Sequence, residues 1–192
     1  MLKKTKLYLL LFISLFFTNN VLADYPQTPK DYLLLPPYCK ARASSYKTPN
    51  FQKWQKRLGK GFTDTHHYCA ALHTLRLSQK VKGTSKRLML ITVTKEIDYM
   101  ESHVKPGYIL FPHIYTTRAE AYIQLKQFVK AFEYFQKAID TNPKFTKPYA
   151  LLADFYLSTG NKKNARATLE DGLKHSPQSR QLNKRLKKLS NK

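Results

Sequence analysis

The chain repeats itself once, without a gap, at a spacing of 34 residues. FPHIYTTRAEAYIQLKQFVKAFEYFQKAIDTNPKF (111–145) lies over FTKPYALLADFYLSTGNKKNARATLEDGLKHSPQS (145–179). Tyr115 falls on Tyr149, Ala119 on Ala153 and Tyr122 on Tyr156. In the second half of the unit Ala131 falls on Ala165, Phe135 on Leu169, Ala138 on Gly172 and Pro143 on Pro177. A period this long means one supersecondary unit used twice, and such units bury their apolar faces by stacking on each other. The period within each unit is helical. Tyr115, Ala119, Tyr122 and Ile123 share one face of a helix, and Phe128, Ala131, Phe135, Ala138 and Ile139 share one face of the next. Small residues stand where two helices must approach, and each proline closes the second helix of its unit.

This order of large, small and proline positions over 34 residues resembles the tetratricopeptide repeat, over about residues 110–178. Three positions depart from that pattern. Arg118 replaces the usual leucine, Ala119 and Ala153 replace the following glycine, and the glycine of the helix turn survives only as Gly160, with Lys126 in its place in the first unit. The resemblance implies an all-α, short solenoid of helical hairpins that binds peptides or partner helices on its concave side. The family's groove positions fall on His113, Thr116, Glu120, Ile123 and Gln124, then on Lys147, Ala150, Asp154, Leu157 and Ser158. They do not reproduce the lysine and asparagine clamp of the chaperone-binding subclass.

Two units are fewer than such stacks usually need, so the flanks should supply more helices. Residues 65–79 and 86–101 read as a divergent hairpin of the same kind, within a region spanning 61–108. Its loop VKGTS offers Thr84 and Ser85 as N-caps, and Asp64 as a cap for the first helix. Glu96, Asp98 and Glu101 read as a solvated face. Residues 179–192 read as a capping helix with an apolar stripe of Leu182, Leu186 and Leu189 and a basic outside. Upstream, residues 24–60 read as an extended, proline- and tyrosine-rich arm followed by a short helix. That helix has Asn50 as its cap, Phe51, Trp54 and Leu58 as its stripe and Gly59 as its stop.

The chain opens MLKKTKLYLLLFISLFFTNNVLADYPQ, with three lysines, an uncharged apolar run and small residues at Val21 and Ala23. These are the parts of a secretory signal peptide over 1–23 cut after Ala23, the run being too short for a bilayer span of about 20 residues. The expected location is therefore the periplasm or the exterior, with no membrane-spanning segment after cleavage. An even pair of cysteines in an oxidising compartment points to a Cys39–Cys69 disulfide that staples the arm to the hairpin. The alternative at this spot is metal or redox chemistry centred on Cys69, because His66, Cys69 and His73 project from one helical face.

Lysine and arginine outnumber acids 34 to 12, which draws the protein to anionic surfaces. Outside the cytoplasm those are acidic polysaccharides and lipid headgroups more often than nucleic acid. Lys162, Lys163, Arg166, Lys184, Arg185, Lys187 and Lys188 form the candidate patch. No nucleophile with its base, glycine-rich phosphate loop, haem motif or other cofactor signature stands in the chain, so no enzyme activity is expected. The expected function is a non-catalytic adaptor in a bacterial envelope assembly such as a pilus, secretion or polysaccharide-export system. Binding of anionic polysaccharide or lipid stands as its alternative.

Overall fold

A computed structural model describes residues 25–190; residues 1–24, which include the expected signal peptide, and the last two residues lie outside it. Among the described residues there are ten α-helices, two short 3-10 turns and no strand. The repeat is visible in the element bounds. Helix α6 (Phe111–Gln124) pairs with α7 (Phe128–Thr141), and α8 (Thr146–Ser158) with α9 (Lys162–His175). The second helices of the two pairs begin and end 34 residues apart, as the sequence offset requires. Ala119, Ala153, Ala131, Ala165 and Ala138 are fully buried between helices, where a larger side chain would push the pairs apart.

Each pair turns in the same way. After α6 the Lys126 N–H donates to the Ile123 carbonyl and the Gln127 N–H to the Tyr122 carbonyl; after α8 Gly160 and Asn161 do the same to Leu157 and Tyr156. This is the Schellman closure, which needs a left-handed residue at its centre. Gly160 takes φ +77° and Lys126 takes φ +58°. Lys126 is the only described non-glycine residue with positive φ, so the departure noted in the sequence is a strained side chain in a glycine's place. Lys126→Gly should therefore stabilise the fold by about 0.5–1 kcal/mol, after subtracting the extra chain entropy that glycine brings. A shift of the urea midpoint with unchanged slope would measure it, and a lower midpoint would refute it.

The remaining helices complete the stack at both ends. Helix α10 (Arg180–Ser190) packs on α8 and α9 through buried Leu182 and half-buried Leu186 and Leu189. A Cβ at Gly172 would lie 2.8 Å from both Leu182 Cδ1 and Tyr149 Cγ, so glycine at this repeat position is what lets the cap close. At the other end α4 (Thr65–Leu77) and α5 (Gly83–His103) form the upstream hairpin, and α5 packs on α6.

Helix α5 starts earlier than expected. Lys82 is its cap, without a side-chain bond, so Thr84 and Ser85 lie inside the first turn. Asp64 likewise makes no capping bond to α4. The β-branched run 91–94 is helical, with the Thr94 hydroxyl donating back to the Ile91 carbonyl at 2.8 Å. Phe128, placed on the core face by periodicity, is nearly half exposed; it stands in the first turn of α7, with its ring 5.1 Å from that of Phe155.

The N-terminal arm is coiled rather than extended. It forms α1 (Pro29–Tyr32) and α2 (Pro37–Ala43) before α3 (Pro49–Leu58). Its prolines start helices, because a fixed φ and a missing N–H cost nothing at the first helical position. Thr28 and Asp31 close a reciprocal capping box on α1, and the backbone and side-chain bonds from Thr28 hold the Asp31 carboxyl down at about 2. The same logic moves the start of α3: Thr48 accepts from the Phe51 N–H at 3.2 Å, and Asn50 lies within the helix.

The arm is stapled as expected. Cys39 of α2 and Cys69 of α4 form a disulfide, both buried. Around it Tyr38 meets Trp54 edge-on at 5.7 Å and Phe51 meets Phe62 at 5.0 Å. These rings join the core of the hairpin, which runs on to Ile114 of the first repeat. Gly59, at φ +74°, ends α3 as expected.

Candidate functional site

The helices α4, α6, α8 and α10 line three depressions that run into one another. The first, about 380 Å³, lies between Leu72, Leu75, Arg76 and Gln79 on the hairpin side and Glu120 and Gln124 of α6. The second, about 300 Å³, reuses Glu120 and Gln124, adds Ile123, and is closed by Leu151, Asp154, Phe155 and Ser158 of α8. The third and largest, about 650 Å³, reuses Asp154 and Ser158 and opens between α8 and α10. Shared walls make them one groove along the stack. Its first junction is pinned by a hydrogen bond from Gln79 Nε2 to Gln124 Oε1 at 2.9 Å.

Six of the ten expected groove residues line this path: Glu120, Ile123, Gln124, Asp154, Leu157 and Ser158. Lys147 sits beside it, its ammonium 2.6 Å from Glu120. The other three do not belong to the groove. Thr116 is fully buried and donates its hydroxyl to the Pro112 carbonyl. Ala150 lies in the core with Ile139 and Tyr149. His113 lies outside the depressions with its ring tilted against Phe145 at 4.2 Å; partial desolvation of the imidazole there, and then the Lys147 charge, lower its pKa. Family positions presume that every unit stands 34 residues from the last. The upstream hairpin does not, so the groove entrance is rebuilt by Leu72, Leu75 and Gln79. Both leucines are partly buried against the hairpin core as well; their recurrence with Gln79 at helical spacing is the signal that they form one stripe.

The groove acids are not free. Arg185 grips Asp154 with both arms of its guanidinium, at 2.9 and 2.7 Å, while Lys147 covers Glu120. The carboxylates of the groove are therefore neutralised internally, and its apolar lining comes from Ile123, Leu151, Phe155 and Leu157. The basic patch does not assemble as one surface either. Lys162, Lys184, Arg185 and Lys188 gather round the third depression. Arg166 faces Glu170 and Ser190, and Lys163 and Lys187 are exposed outside the cleft.

The histidine segment is structural. Cys69 is spent in the disulfide. His67 Nδ1 lies 2.6 Å from Glu96 Oε2, which also accepts from the Tyr25 hydroxyl at 3.3 Å. His66 turns to the Thr63 carbonyl and Arg42; burial, and then the charge on His67, favour its neutral form. His73 is buried, 3.4 Å from an Asp31 oxygen. Neither His66, Cys69 and His73 nor any other trio of such ligands converges among the described residues. Glu96 and Glu101, expected to be solvated, are thus both engaged: Glu96 by His67 and Tyr25, Glu101 by Arg118, Lys137 and Tyr134. Among the described residues no helix is long and apolar enough to cross a membrane.

Residues 113–189 match the tetratricopeptide repeat family model. Among solved structures, the chain is similar to the first TPR of Spaghetti (RPAP3) bound to HSP90 peptide SRMEEVD. Identity is 24%, over 63% of this chain and 93% of that one, with a TM-score of 0.43. No curated protein matches.

Proposed function

We propose that this chain, which carries tetratricopeptide repeats over residues 113–189, is an exported, non-catalytic adaptor that holds a segment of another protein in its groove. The observation that carries this reading is the continuity of the groove. Three depressions share walls from Leu72 to Leu189, the second and third are floored by Ile123, Leu151, Phe155, Leu157 and Leu189, and their own carboxylates are already paired. An extended peptide or a helix can lie along such a path and be anchored by two or three aliphatic side chains, in the manner of groove recognition elsewhere. Export is supported by the signal-like N-terminus and by the buried disulfide, a bond that persists in oxidising compartments. A bacterial envelope assembly is the setting in which such an adaptor works.

A photoreactive amino acid placed at Ile123 or Leu157 should form discrete protein adducts in the exporting cell. The same probe at Val129, exposed on α7 away from the groove, should form none. Adducts at Val129 alone would discard the groove. Replacing Ile123 and Leu157 with glutamate should weaken retention of the partner by about tenfold each, the worth of one aliphatic side chain's burial. Amino-terminal sequencing should find Asp24 first; an unprocessed terminus would discard export.

A further inference from the structure

The third depression gathers three cations that make no ion pair among the described residues, where the first has Arg76 alone and the second has none. Lys184 and Lys188, one turn apart on α10, and Lys162 at the start of α9 border it. Between them lies an apolar floor of half-buried Leu157 and Leu189. The wall already holds one carboxylate: Asp154, seated in the fork of Arg185. We infer that this cleft takes an acidic stretch of the bound protein, with one aliphatic side chain on Leu157 and Leu189 and flanking carboxylates on Lys162, Lys184 and Lys188. This deepens the groove reading and rests on it.

Charge and shape select this occupant over the others. A polysaccharide has no use for a leucine floor. A lipid headgroup layer would engage Lys163, Arg166 and Lys187 as readily as the lysines of the cleft. A second copy of this chain is the wrong charge: acids number 12 against 34 bases, and Asp98, Glu101 and Glu120 are already engaged. The cleft also opens into the second depression through Asp154 and Ser158, as a site for an extended chain would.

The test is fluorescence anisotropy on the exported, oxidised full chain with a labelled ten-residue peptide carrying three glutamates around one leucine. Binding should weaken about tenfold when Lys184→Gln and Lys188→Gln are combined, and about tenfold with Leu157→Asn. It should weaken similarly when the peptide's glutamates become glutamines. Asp154→Asn, which releases Arg185 to the ligand, should tighten binding about threefold, a gain that a purely structural Asp154 would not give. The inference is overturned if the wild-type chain ignores the peptide, or if the lysine and leucine variants bind it unchanged. It is also overturned if phosphatidylglycerol vesicles displace the peptide while Leu157→Asn leaves vesicle binding intact. If it fails while Ile123 still gives protein adducts, the groove reading stands and only the acidic occupant is lost.

Discussion

Removing the Cys39–Cys69 bond should lower stability by about 3–4 kcal/mol, a fall of roughly 10 °C in Tm for a chain of this size. The bond closes a thirty-residue loop, which in the chain-entropy account is the source of most of that figure. Its position decides where the loss is felt. Helix α2 meets the hairpin chiefly through α4, helped by Arg42 donating to the Thr63 carbonyl at 2.7 Å, and both cysteines share the buried core with Tyr38 and Tyr68. In a stack each unit leans on its neighbours, so an untethered end should open before the middle. The double variant Cys39→Ala, Cys69→Ala should thus lose amide protection across residues 25–77 while 128–175 keep theirs. Because both sulfurs are buried, reductant added to the folded protein should act slowly and only through opening. Equal melting of the variant and the oxidised protein would show that the aromatic contacts of the arm suffice alone.

How much of this was legible beforehand follows from the range of the signals involved. The repeat writes its packing twice, so a position such as Ala119 is confirmed by Ala153, and both are fully buried. The second turn announces itself with Gly160, and the first can be placed by offset even though Lys126 occupies it. The arm has no second copy. Its prolines suit extended chain and helix starts equally, and only the hydroxyls of Thr28 and Thr48 decide, by satisfying free N–H groups. The site was half legible for a related reason. Which positions of α6 and α8 face the groove follows largely from the repeat, but who neutralises them does not. Asp154 and Arg185 are 31 residues apart on helices that no period relates. Thr116 and Ala150 hold the same position in the two units, 34 residues apart, and both are fully buried, so the repeat is consistent there and that position faces the core instead of the groove. The histidines looked like chemistry because they are close in sequence, yet their partners Glu96 and Asp31 come from other helices.

Arg118 is the departure with the largest consequence, and restoring the family's leucine there should harm the protein. The guanidinium is buried where α5, α6 and α7 meet, paired with Asp98 and Glu101 of α5. Its Nε and Nη2 both donate to the Tyr122 hydroxyl at 3.2 Å, and it lies 4.4 Å from the centre of the Tyr134 ring. Burial works against the charge, yet the Tyr122 bond, Tyr134 and Asp98 together raise its pKa. Glu101 is held as well by Lys137 at 2.7 Å and by the Tyr134 hydroxyl at 3.1 Å. One side chain therefore bolts the irregular hairpin to the first regular unit, at the seam where no 34-residue register guides packing. Arg118→Leu should cost roughly 2–3 kcal/mol, less than the loss for a fully buried pair, because Asp98 is largely exposed and Glu101 keeps Lys137 and Tyr134. Arg118→Lys should cost less, about 1–2 kcal/mol, because charge survives but the fork does not. Adding Glu101→Leu to Arg118→Leu should recover part of the loss, since it removes the most buried carboxylate left without its guanidinium. Denaturant melts of the four proteins decide it. If Arg118→Leu melts within a degree or two of the parent, or if Glu101→Leu makes it worse, the cluster is not what joins the two halves.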